Sequence, residues 1–390
     1  MKLTVHRLNL MLLAILLVCG LALMPSLASA AEVSIMATPD DGLQPRLVTD
    51  AGGGIHLLYF KKRLNRPAAR EGSLYYRQYD AEAGRFGAPV RVSSQAFNVQ
   101  SYAIARASLA IDGQGRAHVM WYLPRSSVYY YTRSNPQRSA FEPQRSMVSE
   151  FDIGLDASGD VAAHGDQVAL IWAAGDLSFE ERRAAYGRFS HDGGETFGSE
   201  MLISNPDLGA CACCSLAADY QDDSQLLVAY RSAIDGVGRH MQLLTVDGVD
   251  NAPSGSRYGP VHKLQQWEAS FCPLSTNDIS TDHEGGNWLV FETEARIMLM
   301  GLPDQTPMPV AAPFTETRQK HPAVAVNPKG ETLVVWGEAI SHTRGGRLNM
   351  QLLTDGQSVS GFEFAEQIEI GDFSFPAAAV LPDGNFLVVY

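Results

Sequence analysis

The chain has 390 residues, of which 19% are charged, and a formal net charge of −13. Such an acidic protein repels phosphate backbones, which argues against nucleic acid as a partner. The length alone would allow two domains, but the internal repeat described below predicts one.

The first thirty residues have the pattern of a secretory signal peptide. Lys2 and Arg7 precede an apolar segment over residues 10–23, and Ala28-Ser29-Ala30 supplies the small residues that signal peptidase requires. The apolar segment is short for a bilayer span, and no later stretch is apolar enough to cross one. We therefore expect residues 1–30 to be removed.

Cleavage after Ala30 would give a mature protein over residues 31–390, periplasmic or secreted, with no stable membrane insertion. Its net charge would be −15, because the signal carries two basic residues and no acidic one. Two alternatives are a retained membrane anchor and a lipid-modified Cys19. The latter has Val18, a bulky residue, where a small one is expected.

One sequence pattern recurs seven times in the mature chain. Each copy has a strand of small residues, a turn usually built from Asp or Asn with Gly, and an apolar strand that ends near an aromatic residue. The turns open at positions 50, 112, 164, 219, 282, 327 and 381. A period near fifty residues with β-rich units is typical of propeller blades.

Two further period-2 segments follow several of these pairs, which predicts four-stranded blades. We therefore expect an all-β fold, a single β-propeller with seven blades. In this arrangement the segment 33–38 supplies the missing outer strand of the last blade. Six blades is the alternative, with the last strand pair serving only to close the ring.

One turn matches the Asp-box, S-x-D-x-G-x-T-F/W, and thereby resembles the hairpin turns of sialidases and many other secreted propellers. The resemblance implies a sialidase-like fold and a structural role for the motif, in which the Asp side chain accepts hydrogen bonds from its own turn. The motif residues are Ser190, Asp192, Gly194, Thr196 and Phe197.

The same resemblance raises the question of sialidase chemistry. Sialidases grip a substrate carboxylate with three arginines and use a Tyr nucleophile with a Glu partner and an Asp acid/base. The first blade opens with Gln44-Pro45-Arg46-Leu47, which departs from the usual Phe-Arg-Ile-Pro-like tetrapeptide, and no Tyr–Glu pair stands out. The candidates for ligand binding are Arg106, Arg231, Arg318 and Trp267.

Four cysteines of the mature chain lie in two equivalent loops, Cys211-Ala212-Cys213-Cys214 before the fourth inner strand and Cys272-Pro273 before the fifth. These loops belong to neighbouring blades and open on one face beside the channel, so we expect the sulfurs to meet. A C-x-C-C loop followed by Trp267 and Cys272-Pro273 resembles bacterial proteins of the sialidase-like group.

Three interpretations of the cysteines stay open. An oxidising compartment favours two disulfides, with cross-loop pairs such as Cys214–Cys272. Thiolates also select soft metals, copper or zinc, with His321 as a possible additional ligand. A third interpretation is a redox pair that exchanges disulfides.

The sequence thus predicts an exported, sialidase-like propeller that binds a small-molecule, glycan or protein ligand at a cysteine-lined site in the channel mouth. Two alternatives are a sialidase-type glycoside hydrolase and a periplasmic copper-binding protein.

Overall fold

The computed structural model describes residues 30–63, 71–94, 99–100, 106–176, 178–247, 261–282, 284–302, 306–310, 317–341, 343–359, 362–364 and 366–390. The predicted signal segment, with Cys19, lies almost wholly outside these ranges. Residues 32–390 form one compact unit. The described helices are three short 3₁₀ turns, Pro39–Asp41, Glu180–Arg182 and Pro206–Leu208. No helix in the described ranges is long and apolar enough to cross a membrane.

The strands form seven sheets arranged as blades, antiparallel except for one parallel pair in the last, and numbered here by the chain order of their innermost strands. From the axis outward, blade 1 consists of Leu43–Thr49, Ile55–Lys62 and Glu71–Asp80, with Arg85–Phe86, Val90–Arg91 and Val99–Gln100 at its edge. Blade 2 consists of Ser108–Ile111, Ala117–Leu123, Val128–Arg133 and Arg145–Ser146. Blade 3 consists of Gly159–His164, Gln167–Gly175, Arg183–Ser190 and Met201–Leu202.

The next three blades repeat this order. Blade 4 consists of Ala217–Tyr220, Gln225–Arg231, Met241–Asp247 and Val261–Gln265. Blade 5 consists of Asn277–Thr281, Asn287–Thr293, Arg296–Gly301 and Met308–Pro309. Blade 6 consists of Gln319–Val326, Glu331–Glu338 and Gly346–Thr354, with Gln357–Ser358 and Glu369–Ile370 outermost.

Blade 7 closes the ring by joining the two ends of the propeller. Its inner strands are Ala377–Val380 and Phe386–Val389, and its outer strand is Val33–Met36, which pairs in parallel with Phe386–Val389. The backbone N–H and the hydroxyl of Thr38 both donate to the Tyr390 carbonyl, at 2.8 and 2.6 Å. The seven-bladed propeller and the N-terminal closing strand are confirmed, although the closing blade has three strands in the described ranges.

The innermost strands touch their neighbours in all seven cases around the axis. The core lies between blades as separate apolar layers, because each sheet must bury both of its faces. Trp172, for example, packs between blades 2 and 3 and is fully buried, and its indole N–H donates to the Phe151 carbonyl at 3.0 Å.

An Asp–His–Tyr chain, buried in blade 2 and partly buried in blade 1, ties the turn of each of the first two blades to its sheet. In blade 2 the Asp112 carboxylate accepts from two backbone N–H groups of its turn and contacts His118 Nε2 at 3.1 Å. His118 Nδ1 lies 2.7 Å from the Tyr131 hydroxyl. Asp50, His56 and Tyr76 repeat this arrangement in blade 1.

The turn of blade 4 opens at Gln221, which is two residues after the position expected from the repeat.

The Asp-box turn lies between the third and outer strands of blade 3 and packs against blade 2. Asp192 accepts from Ser190 Oγ at 2.7 Å and from Thr196 Oγ1 at 2.5 Å. Burial raises the pKa of Asp192, but the hydrogen bonds from Thr196 and Ser190 outweigh it and lower the pKa to about 2. The Phe197 ring lies 5.1 Å from that of Tyr131. In this geometry the carboxylate organises its own turn.

Protonation of His118 should make the fold less stable in mild acid. Burial lowers the pKa of His118 below its usual value despite the hydrogen bond to Asp112, which opposes the shift. Below about pH 6.5 this histidine is therefore protonated in the unfolded chain but stays neutral in the folded protein. The free energy of unfolding consequently falls as pH falls through this range. Urea denaturation at pH 7.5 and pH 5 measures the decrease.

His118→Gln should remove part of that pH dependence, while His56, whose pKa is lowered for the same reason, retains the rest. His262→Gln is the matched control, because His262 is exposed on the outer strand of blade 4. Equal pH dependence in the wild type and the His118 variant would contradict the interpretation.

Candidate functional site

A pocket lies on the propeller axis, at the end where the innermost strands begin. It encloses about 460 Å³, including its open mouth, and every blade contributes to its wall. The lining residues are Arg46, Arg106, Ser108, Gly159, Asp160, Ser215, Leu216, Thr276, Asn277, His321, Pro322 and Phe375.

One side of the pocket is held by an ion pair across the axis. Arg46 of blade 1 donates to the Asp278 carboxylate of blade 5, and both side chains are largely buried. The second Asp278 oxygen accepts from the backbone N–H of Val324 at 3.4 Å. The pair fixes Arg46 in the pocket wall with its Nε unbonded to any described residue.

Arg106 is the second cation of the pocket, and its charge is only weakly compensated. Its guanidinium lies 4.8 Å from the centre of the Phe375 ring and donates to the Pro45 carbonyl at 3.4 Å. Within the described ranges no carboxylate lies within ion-pair distance of it. Burial, followed by repulsion from Arg46, lowers the pKa of Arg106 to about 10. It is therefore still a cation at neutral pH and can accept an anionic ligand.

Two carboxyl groups of neighbouring blades lie along the axis. Asp160 is buried and accepts from the backbone N–H of Ala218 at 2.9 Å. Burial raises its pKa above the usual range, against the effect of the Arg46 charge. Burial also raises the pKa of Asp219 to about 6, although Thr281 donates to it at 2.6 Å. The pocket thus combines two guanidiniums with one buried carboxyl, that of Asp160, while Asp219 is not among its lining residues.

The three arginines considered from the sequence do not meet. Arg106 lines the pocket, whereas Arg318 is exposed outside it. Arg231 is 1% exposed, stacks 4.9 Å from the Trp267 ring and donates to Ser275 Oγ at 2.8 Å. Arg231, the last residue of the second strand of blade 4, and Trp267 thus pack together outside the lining of the pocket. Arg46, whose tetrapeptide departs from the sialidase pattern, lines the pocket together with Arg106.

The four cysteine sulfurs meet, as the alignment of the two loops predicts, and lie within 4.8 Å of one another. Cys213 and Cys272 form a disulfide, while Cys211 and Cys214 are free and buried. The Cys211 sulfur lies 3.0 Å from that of Cys214 and 3.5 Å from that of Cys213. The cross-loop bond expected for Cys214 is thus formed by Cys213.

The cysteine cluster lies beside the pocket and does not line it. Cys214 directly precedes Ser215, which lines the pocket and donates to Asn277 Oδ1 at 2.9 Å. The sulfurs of the C-x-C-C loop pack instead with Cys272 and Leu274, and the cysteine-lined site at the channel mouth stays a prediction. His321 is outside the four-sulfur group and lines the pocket, where its Nδ1 lies 3.3 Å from Thr276 Oγ1.

Buried charges hold the loop that carries Cys272. Lys320 Nζ contacts the Glu292 carboxylate at 2.7 Å and donates to the carbonyls of Pro273 and Leu274 at 3.2 and 3.1 Å. Both charged side chains are under 5% exposed. Since a buried ammonium needs partners, this ion pair positions the loop.

A second ion pair lies at the edge of the cluster. Arg239 contacts Glu180 at 2.5 Å, and a Glu180 oxygen lies 3.8 Å from the Cys213 sulfur. Phe179 and Phe271, which adjoin Glu180 and Cys272 in sequence, are 46% and 61% exposed. The cluster is therefore flanked by exposed apolar side chains.

The thiols of the cluster differ in acidity. The hydrogen bond to Cys214, and then burial, raise the pKa of Cys211 well above its usual value. Burial also acts to raise the pKa of Cys214, but hydrogen bonds with Cys211 and Ser275 and the Arg231 charge lower it to about 7. Cys214 is the thiol that ionises first.

No protein-family model and no curated protein matches the sequence. Among solved structures, the chain is similar to a protein of unknown function from Dyadobacter fermentans DSM 18053, with 14% identity over 84% of this chain and 98% of that one and a TM-score of 0.54. It is also similar to an α-L-arabinanase of Penicillium chrysogenum, with 10% identity over 85% and 100% of the two chains and a TM-score of 0.52. A third similar structure is the Hadza microbial sialidase Hz136, with 13% identity over 84% and 72% and a TM-score of 0.45. At such identities the likeness concerns the fold alone.

The disulfide assignment predicts two free thiols in the mature protein. Titration in denaturant without reductant should find two thiols per chain, and peptide mapping should link Cys213 to Cys272. Cys272→Ser should raise the count to three, because Cys213 loses its partner. Zero free thiols in the wild type, or a link from Cys272 to Cys214, would contradict the assignment.

Proposed function

We propose that this protein is an exported binding propeller that takes a small carboxylate-bearing ligand at the channel mouth, with acidic sugars as the ligand class. The observation that supports this proposal is Arg106, a half-buried cation in the pocket wall with no carboxylate partner in the described part of the chain. A guanidinium recognises a carboxylate through two parallel N–H···O bonds.

The arrangement around Arg106 suits an anion with polar substituents. Arg46 lies in the same pocket. Although it is paired with Asp278, its guanidinium has further N–H groups that can donate to a bound carboxylate. Ser108, Asn277 and His321 supply hydroxyl, amide and imidazole groups to the same wall. Such groups bind sugar hydroxyls, and the Asp-box resemblance to sialidases makes acidic sugars the first class to test.

Binding rather than hydrolysis is proposed because of the groups that surround Arg106. The resemblance to sialidases implies a Tyr nucleophile, and the twelve described lining residues include no tyrosine. Asp160 is the carboxyl group of the pocket that most resembles a general acid, because burial raises its pKa. Turnover of a fluorogenic sialoside would assign the pocket to the hydrolase alternative.

Arg106→Ala should weaken the binding of N-acetylneuraminic or glucuronic acid. A hydrogen bond to a charged group contributes about 1.5–3 kcal/mol, so the dissociation constant should rise about tenfold or more. Isothermal titration calorimetry measures it, and the neutral sugar N-acetylglucosamine serves as the ligand control.

Arg318→Ala is the matched control variant, because it removes an exposed arginine outside the pocket. It should bind the acids as the wild type does. Binding of neither acid by the wild type, or equal losses in both variants, would count against the proposal.

Export is the second part of the proposal, and it rests on the N-terminal sequence pattern. The protein recovered from the periplasm or medium should begin at Ala31, which N-terminal sequencing determines. A product that retains the first thirty residues, or one with a lipid on Cys19, would contradict it.

A further inference from the structure

We propose that the four-cysteine cluster is a second site, separate from the pocket, and that in its reduced state it binds the soft ion Cu(I). The Cys213–Cys272 disulfide is the latch of this site, because it withdraws two of the four sulfurs from coordination. The cluster is distinct from the groups around Arg106, so this inference does not depend on the carboxylate-binding proposal.

The arrangement of the sulfurs carries the inference. All four lie within 4.8 Å of one another although Cys272 is far from the other three in sequence. Bonds of about 2.3 Å to a metal at a tetrahedral centre place sulfurs about 3.8 Å apart. Small side-chain rotations would therefore bring the four sulfurs to bonding distance from a common ion.

The number of thiolates that each ion needs favours Cu(I) over Zn(II). Cys211 and Cys214 have the C-x₂-C spacing of structural zinc sites, so the loop spacing by itself does not distinguish the two ions. A structural zinc site, however, closes a tetrahedron of four ligands, which here would have to include the adjacent pair Cys213 and Cys214. Cu(I) selects thiolates and is satisfied by two or three of them.

The surroundings suit thiolates held away from water. Cys211 and Cys214 are 2% and 1% exposed. One buried guanidinium, Arg231, lies one contact away through Ser275, whereas Arg239 is already paired with Glu180. Because a Cu(I) ion with several thiolates has a net negative charge, the nearby Arg231 charge offsets part of it.

Loading begins with reduction of the latch. A dithiol attacks the Cys213–Cys272 bond, first forming a mixed disulfide, and ends as a disulfide itself while Cys213 and Cys272 gain the two protons as thiols. Cu(I) then replaces thiol protons, which leave to solvent as the Cu–S bonds form. The copper keeps its oxidation state throughout.

The test compares oxidised with reduced mature protein. A phosphine reductant is used, the protein is desalted under nitrogen, and Cu(I) is added as its acetonitrile complex in competition with bathocuproine disulfonate. The reduced protein should retain at least one Cu(I), with sulfur neighbours in X-ray absorption spectra. The oxidised protein should bind Cu(I) at least about tenfold more weakly, since two ligands are blocked.

The Cys211→Ser, Cys214→Ser double variant removes two ligands but keeps the Cys213–Cys272 disulfide. Its fold can therefore be compared with that of the wild type in the oxidised state, before the disulfide is reduced. Loss of outer-shell partners alone costs about 10–100-fold in metal affinity, so loss of two ligands should cost about a hundredfold or more. Arg318→Ala, at an exposed arginine outside both sites, is the control and should bind Cu(I) like the wild type.

Three results would overturn the proposal. One is equal Cu(I) affinity of oxidised and reduced protein, and another is unchanged affinity in the double variant. The third is Zn(II) that displaces Cu(I) at equimolar concentration, which would make the cluster a zinc site. Failure of acid binding in the Arg106 experiments would leave these outcomes unaffected.

Discussion

Closure of the ring is the constraint on which the remaining structure depends. Each blade buries its faces only against the two blades beside it, so an open end would expose an apolar layer on both sides of the gap. The parallel pairing of Val33–Met36 with Phe386–Val389 joins the two ends of the propeller. The pocket depends on this closure directly, because its wall takes residues from all seven blades.

Buried ion pairs between blades stabilise both the side chains that face the axis and the loop that carries Cys272. The Arg46–Asp278 pair spans the axis between blades 1 and 5, so each charge is compensated by a distant part of the chain. The Lys320–Glu292 pair is equally buried but acts between blades 5 and 6, where it holds the carbonyls of the Cys272 loop. Removing one partner of such a pair costs about 3–5 kcal/mol, because the other charge stays buried. Both sites therefore rest on ion pairs between blades.

The blade architecture could be predicted because each copy of the repeat obeys local rules. A turn with Asp or Asn, small residues before it and an apolar strand after it can be recognised within one copy. The fourth copy shows the limit, since its turn opens at Gln221 and not at Asp219. Likewise the meeting of the two cysteine loops follows from their equivalent positions, but the bond from Cys272 to Cys213 depends on side-chain directions that the repeat does not specify.

The pocket was harder to predict because its residues become neighbours only when the ring closes. The tetrapeptide around Arg46 departs from the sialidase pattern, so the resemblance does not point to this residue, yet the sequence contains a positional signal. Arg46, Ser108, Asp160 and Asp278 each stand four residues before the turn-opening position of their copy. This offset places them at the axial end of the innermost strands, where charged side chains would be costly without a partner across the channel. Charged residues at a fixed offset in several copies therefore indicate groups that compensate one another across the axis, as Arg46 and Asp278 do.

The position of the two sites on one face follows from the same geometry. Loops that lead from an outer strand to the next innermost strand carry the cysteines and end at the pocket wall, as the step from Cys214 to Ser215 shows. The backbone N–H of Ser215 donates to the Ser275 carbonyl at 2.9 Å, which ties the C-x-C-C loop to the loop of Cys272 beneath the pocket rim. The sheets below are fixed by packing between blades, whereas these loops are held mainly by polar contacts and by the disulfide. New chemistry can therefore arise in the loops at little cost to the fold, and a propeller framework alone does not identify the ligand.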